Sequence, residues 1–391
     1  MDVAELLILT KDRGGSDLHL SAGALPLMRL HGQLTPIEDR PLSRDEVHKM
    51  VYEILNDDQR RVFEEQRDLD FAIEIGEHAR FRVNVFNQRN GEGAVFRVIP
   101  TQIRSFQELG LPEVMQTLAL RENGLVLVTG PTGSGKSTTL AAMIDLVNAT
   151  QKKHIITLED PIEFVHRSKG CLVNQREVHS HTKSFAAALR AALREDPDIV
   201  LVGEMRDLET ISIAIETAET GHLVFSTLHT IDCGQTINRI LGMFEPEEQE
   251  QIRYRLADTL RWIISQRLAP KIGGGRYPLV EVMGSNLRTK ESVMLGESEG
   301  KSFYEIIEAS TTFGWRTFDH SCLDAFKRGI VTEETALLLA SKRGAVTRGI
   351  DLIRKARGEM ANTVSELRMT STPQTSGKAQ PPPVPSTLKL K

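Results

Sequence analysis

Residues 127–140 read LVTGPTGSGKSTTL, and their types and spacing are those needed to hold phosphate. Gly130, Pro131, Thr132, Gly133, Ser134 and Gly135 form a glycine-rich turn; glycine lets the backbone curl so that successive N–H groups point at anionic oxygens. Lys136 adds a compact positive charge for β- and γ-phosphates, and the Ser137 hydroxyl is a ligand for Mg2+. Thr138 begins a stretch of helical spacing, so the turn meets a helix N-terminus whose dipole favours an anion. The branched, apolar run at 125–128 predicts a buried parallel strand in front of it. Strand, turn and helix in this order leave little room for a chance glycine-rich loop. The run alone still fits a kinase, a switch, a helicase or a motor.

Three further stretches carry carboxylates and imidazoles. DPDIVLVGEMRD sets Glu204 at the C-terminal end of an apolar strand, where α/β sheets place their ligands. A carboxylate there can orient a water for in-line attack and accept its proton. Gly203 stands where such motifs usually have Asp, so the carboxylate for Mg2+ must come from elsewhere. HIITLEDPIEF supplies Glu159, Asp160 and Glu163 at the end of another apolar strand, acids that repel one another unless a cation joins them. TGHLVFSTLHT brackets a strand with His222 and His229. Either histidine alone would be an ordinary core residue, but with Thr220, Ser226, Thr227 and Thr230 nearby they are expected to sense the terminal phosphate. No third ligand suggests zinc.

The elements that position these residues follow from periodicity. Period-two alternation predicts strands in SDLHLSAG, LPLMRLHGQLTPI, LDFAIEIG, ARFRVNVFNQRN and GEGAVFRVIP. A helix is expected from a Ser43–Glu46 capping box to about Phe63. Together they make an α+β unit over 1–100. A linker at 101–111 leads to a unit at 112–286 whose alternating buried strands and helices fit a doubly wound parallel sheet. Residues 287–365 read as helical, and the Pro/Ser/Thr-rich tail at 366–391 reads as disordered.

Composition removes several classes. The 391 residues are 40% apolar and 26% charged, which is ordinary globular protein. A formal net charge of -5 with 5% aromatics offers no basic or aromatic-rich surface, so no nucleic acid is expected as partner. No apolar run is long enough for a transmembrane segment, and the amino terminus lacks the features of a signal peptide. Cys171, Cys233 and Cys322 are isolated, as expected in a reducing cytoplasm, and no Cys-x-x-Cys pair is present for a zinc knuckle.

GPTGSGKST, TLEDPIEF, DPDIVLVGEMRD and TGHLVFSTLHT, in this order, resemble the Walker A, Asp, Walker B and His boxes of the secretion ATPase superfamily. Gly before Glu in the Walker B stretch is that superfamily's pattern. GGSDLHLSAG and FRVNVFNQRNGEGAVFRVIP resemble the amino-terminal PAS-like domain of type IV pilus retraction ATPases, the PilT/PilU group. The resemblance implies an α/β chain: a PAS-like α+β domain, a RecA-like P-loop ATPase domain and C-terminal helices. It implies an ATP-hydrolysing homo-hexamer with ATP and Mg2+ as substrate and cofactor, cytoplasmic and peripheral at the inner membrane. Its partners would be an inner-membrane pilus platform protein and, in some machines, a paralogous pilus ATPase. Arginines of one chain's amino-terminal domain would reach the γ-phosphate held by another; Arg82, Arg89 and Arg97 lie on the matching strands, with Arg82 and Arg97 favoured. The stretch GSNLRTKESVML keeps little more than Asn286, Leu287 and Arg288 of the group's helix motif. An accessory PilU-like motor, or another secretion-system ATPase, therefore stays open beside the principal retraction motor.

Overall fold

The computed structural model describes residues 2–30, 32–76, 79–99 and 102–358. The disordered tail expected at 366–391, and the first residue of the linker, lie outside the described residues.

The amino-terminal strands are β1 (Asp17–Ser21), β2 (Leu27–Leu30), β3 (Gln33–Pro36), β4 (Asp68–Ile75), β5 (Ala79–Gln88) and β6 (Gly91–Ile99). They form a six-stranded antiparallel sheet in the order β3-β2-β1-β6-β5-β4. Alternation on β5 sends Phe81, Val83 and Val85 into the core of this unit, and Arg80, Arg82 and Asn84 to the other face. LPLMRLHGQLTPI is thus two paired strands rather than one. The helix expected from Ser43 to Phe63 is two, Arg44–Ile54 and Asp57–Gln66, because Asn56 stops the first and caps the second in a box with Gln59. A further helix, Val3–Asp12, precedes β1 and buries Leu6 and Leu7.

The second sheet contains β7 (Gly124–Thr129), β8 (His154–Glu159), β9 (Leu172–Glu177), β10 (Ile199–Val202), β11 (Leu223–Leu228), β12 (Leu260–Pro270) and β13 (Arg276–Gly284). Its order is β13-β12-β7-β11-β10-β8-β9, parallel throughout except for the β12–β13 hairpin. The central strands are buried along their whole length, which is why they read as continuous apolar runs. All parallel strands point the same way, so the loops after β7, β8, β10 and β11 gather at one edge.

The linker is not uniformly loose. Ser105 caps a one-turn helix, Phe106–Leu109, and Phe106 and Leu111 bury in the core of the second sheet. The helical region divides in two. Val293, Phe303 and Ile306 join the same large core, whereas Phe318, Cys322, Val346 and Ile350 form a small core of their own with Ala269 and Leu279 of the β12–β13 hairpin.

Candidate functional site

The phosphate-binding turn leaves β7 at Thr129 and enters the helix Lys136–Thr150. Gly130 has φ 147° and Gly135 φ 91°, both closed to most side chains. A Cβ on Gly130 would lie 2.4 Å from the Gln266 carbonyl oxygen, and one on Gly135 would lie 2.8 Å from Gln266 Nε2. The turn is therefore pressed against β12. Gln266 fastens it there: its Nε2 donates to the Ser134 carbonyl at 2.8 Å, and its Oε1 accepts from the Thr139 hydroxyl at 2.8 Å. The Lys136 ammonium donates to the carbonyls of Gly130 (2.9 Å) and Pro131 (3.2 Å). Burial lowers the pKa of Lys136, with the charges of Glu204 and Glu163 opposing the shift.

Around this turn lies a cleft of about 980 Å³. The turn, Ser137 and Thr138 form its floor, and Glu159, Asp160, Glu163, Glu204 and His229 line it from the neighbouring strand ends. Glu204 is nearly buried. One carboxylate oxygen is ion-paired with Arg206, and the other faces His229 Nε2 at 3.3 Å. Glu159 is engaged differently: it accepts from the Thr157 hydroxyl (2.6 Å) and Gln175 Nε2 (3.0 Å), and burial raises its pKa despite those bonds. Asp160 and Glu163 remain exposed to the cleft.

The opposite wall comes from the amino-terminal sheet and the linker: Arg82, Arg97 and Arg104. Arg82 and Arg97 are cross-strand partners on β5 and β6. Arg97 Nε donates to Asp17 Oδ1 at 2.9 Å. Burial pushes the Asp17 carboxyl up, but the bonds from Arg97 and Ser16 outweigh it and hold the pKa below its ordinary value. Both arginines therefore line the chain's own cleft, whereas the family resemblance would have them serve a nucleotide on another chain.

Two expected residues stand elsewhere. His222 precedes β11, at the opposite end of the strand from the cleft, and its Nδ1 lies 3.0 Å from both the Thr217 carbonyl and the Thr220 hydroxyl. Six residues of strand separate it from His229, about 20 Å, so His222 is a helix-end contact and not a phosphate sensor. Arg89 sits in the β5–β6 turn, away from the residues lining the cleft. Sequence reasoning missed Gln266, Arg104 and Arg206. The first had a signal, a glutamine inside the apolar strand sequence LRWIISQRLAP; Arg206 sat unremarked within the Glu204 stretch.

Among the described residues no three His, Cys, Asp or Glu side chains cluster as a metal centre. One hydroxyl at Ser137 and the exposed carboxylates of Asp160 and Glu163 suit a hard cation whose remaining ligands come with a nucleotide's phosphates.

A profile of the family described as Type II/IV secretion system protein matches residues 12–313. The chain is 50% identical over 336 residues to the "Type IV pilus retractation ATPase PilT" of Pseudomonas aeruginosa, covering 86% of this chain and 97% of that one. It is 46% identical over 312 residues to the "Twitching motility protein" of Neisseria gonorrhoeae, covering 80% and 83%. The crystal structure of the pilus retraction motor PilT with bound ADP superposes with a TM-score of 0.83 at 44% identity, covering 89% of this chain and 99% of that one.

Proposed function

The chain belongs to the Type II/IV secretion system protein family, and on that footing we propose that it is a hexameric motor that hydrolyses ATP to retract type IV pili and drive twitching motility. The observation that carries this is the meeting of the phosphate-binding turn, Glu204 and the amino-terminal arginines in one cleft, in a chain half identical to a retraction ATPase over nearly all of that relative's length.

In this reading residues 1–100 are a PAS-like domain, 112–286 a RecA-like ATPase domain, and the ring works at the cytoplasmic face of the inner membrane on a pilus platform protein. The turn and Lys136 bind the phosphates. Ser137 with Glu163 or Asp160 would hold Mg2+, which screens phosphate charge when bound. Glu204 orients the attacking water and takes its proton, with His229 steadying the carboxylate. Arg82, Arg97 and Arg104 stabilise charge on the transferring phosphoryl group, a task suited to a planar cation that stays protonated. Hydrolysis and release then let the amino-terminal domain turn against the ATPase domain. Because Phe106 and Leu111 are anchored in the ATPase core, the linker before Phe106 absorbs that turn.

The test is a chromosomal Glu204→Gln allele, scored by counting surface pili and imaging their shortening. Retraction loss leaves abundant pili that do not shorten. Bald cells that still make pilin would overturn the reading in favour of an assembly motor, and unchanged pili would assign an accessory role.

A further inference from the structure

Arg80 and Arg82 are two residues apart on β5, so the pleat puts both on the face opposite Phe81 and Val83. Arg82 lines the cleft, while Arg80 passes beside it to β9. Its Nη2 donates to Glu177 Oε2 at 3.4 Å and its Nη1 to Glu74 at 3.2 Å. Glu177 ends β9, and the same Oε2 accepts the main-chain N–H of Ile162 at 3.0 Å; Oε1 accepts the Ser180 hydroxyl at 2.9 Å. Ile162 lies between Pro161 and Glu163 in the acidic turn of the cleft. The Glu163 N–H in turn bonds the Glu159 carboxylate. One carboxylate thus ties the amino-terminal sheet to the turn that carries the acids of the site.

An exposed pair would contribute little. Here the side chains are only 14% and 7% exposed, so parting them leaves a charge poorly hydrated. We propose that Arg80 and Glu177 are positioning residues for ATP hydrolysis: their ion pair is an inter-domain latch that sets Arg82 and the Asp160–Glu163 turn in register across the nucleotide. The latch rests on the motor reading given above. When the amino-terminal domain turns away, Arg80 leaves Glu177 and the acidic turn loses its tie to the amino-terminal sheet, so the chain is competent for hydrolysis only with the domains closed.

The test uses the purified full-length protein, with steady-state turnover, ATP affinity and thermal unfolding measured on Arg80→Ala, Arg80→Lys, Glu177→Gln and the double variant Arg80→Ala/Glu177→Gln. Glu177→Gln keeps an oxygen for Ile162 and preserves the local fold. Each single loss is expected to lower kcat about tenfold with KM within about threefold, since misplacement by an ångström costs rate more than binding. The double variant should be no slower than the slower single variant, the signature of one shared interaction. Arg80→Lys should recover part of the rate, because an ammonium still reaches the carboxylate. Should Arg80→Ala fail to fold, Arg80→Lys, Glu177→Gln and their combination carry the same comparison. Losses that multiply in the double variant, an unchanged kcat, or a fall in melting temperature with no change in kcat would each overturn the latch. A wild-type protein that does not turn over ATP would overturn the motor reading and the latch together, whereas an active wild type with multiplying losses overturns the latch alone.

Discussion

Replacing Gln266 by leucine tests whether β12 holds the phosphate-binding turn in shape. The substitution nearly conserves volume and removes two hydrogen bonds of 2.8 Å each. The two losses are unequal. The Thr139 hydroxyl can turn to the Gly135 carbonyl one helical turn back, as threonines in helices commonly do. The Ser134 carbonyl has no such recourse: it lies buried with the Gln266 amide as its side-chain donor, and a leucine offers none. One buried acceptor is left unsatisfied, at a cost of about 1–3 kcal/mol. Part of this appears as lower stability and part as weaker nucleotide binding, since a slackened turn must be reordered by the phosphates it receives. If all of it reached binding, affinity would fall by about 5- to 150-fold; if all reached stability, the melting temperature would fall by roughly 2–12 °C. The assay is titration with a fluorescent ATP analogue beside thermal unfolding of the nucleotide-free protein, and the two penalties should sum to the stated range. Affinity within about twofold together with a melting temperature within about a degree would refute the reasoning.

Lys136→Ala should abolish ATP turnover by removing the charge that meets the β- and γ-phosphates, and undiminished turnover would move the active site away from this turn. Arg97→Ala mixed with Lys136→Ala should show no recovered turnover once subunit exchange is verified, because Arg97 lines the cleft of its own chain; recovery would place the arginine across a subunit boundary. His166 is buried beside the cleft, its Nδ1 has no hydrogen-bond partner, and burial lowers its pKa to about 4 from 6.5. Below pH 6.5 the unfolded chain takes up this proton and the folded chain does not, so stability is lost as pH falls from 6.5 to 4, by about 3 kcal/mol from this group. His166→Gln should flatten that part of a pH series of denaturant unfolding curves, and an unaltered acid branch would exclude His166 as its source.

How much of this was legible depended on range. The phosphate-binding turn was readable because everything it needs lies within fifteen or so consecutive residues, and Glu204 because the strand before it is short, apolar and ends where such sheets bind. Gln266 was not, since its role exists only through the pairing of β12 with β7, which brings Ser265 opposite Thr129. Periodicity also tells which face of a strand a side chain takes without saying which end of the sheet it occupies. Arg82 and Arg97 were found by face, and register then placed them opposite each other. Arg89, on the same hairpin, fell in the turn. His222 and His229 look equivalent as flanks of one apolar run, yet only the residue after a parallel strand reaches the ligand edge.

The order of strands explains a finer division among the acids. β7 and β8 are successive parallel strands in the chain, but β11 and β10 lie between them in the sheet. At nearly 5 Å per strand, the end of β11 is one spacing from the phosphate turn, β10 two and β8 three, or about 14 Å. A carboxylate at the very end of β8 is therefore too distant to face Lys136. Glu159 accordingly turns sideways to Thr157 and Gln175, and the chain must run on through Pro161 and curl back before an acid approaches the lysine. Lys136 feels the charges of Glu204, two strands away, and of Glu163, four residues past the end of β8, as the groups that oppose its desolvation. On this geometry Glu163, and not Glu159, is the acid of that turn expected to bear on the phosphates. It also means that the reach of Glu163 depends on how the turn is held from outside, by the Ile162 N–H on Glu177. Glu159→Gln should then leave turnover within about threefold of wild type, its amide oxygen remaining an acceptor for Thr157, Gln175 and the Glu163 N–H, while Glu163→Gln lowers turnover at least tenfold, as loss of a group acting on the reacting phosphates does. Parallel turnover measurements on the two variants decide it, and equal losses would show that both acids act at the phosphates despite the spacing of the strands.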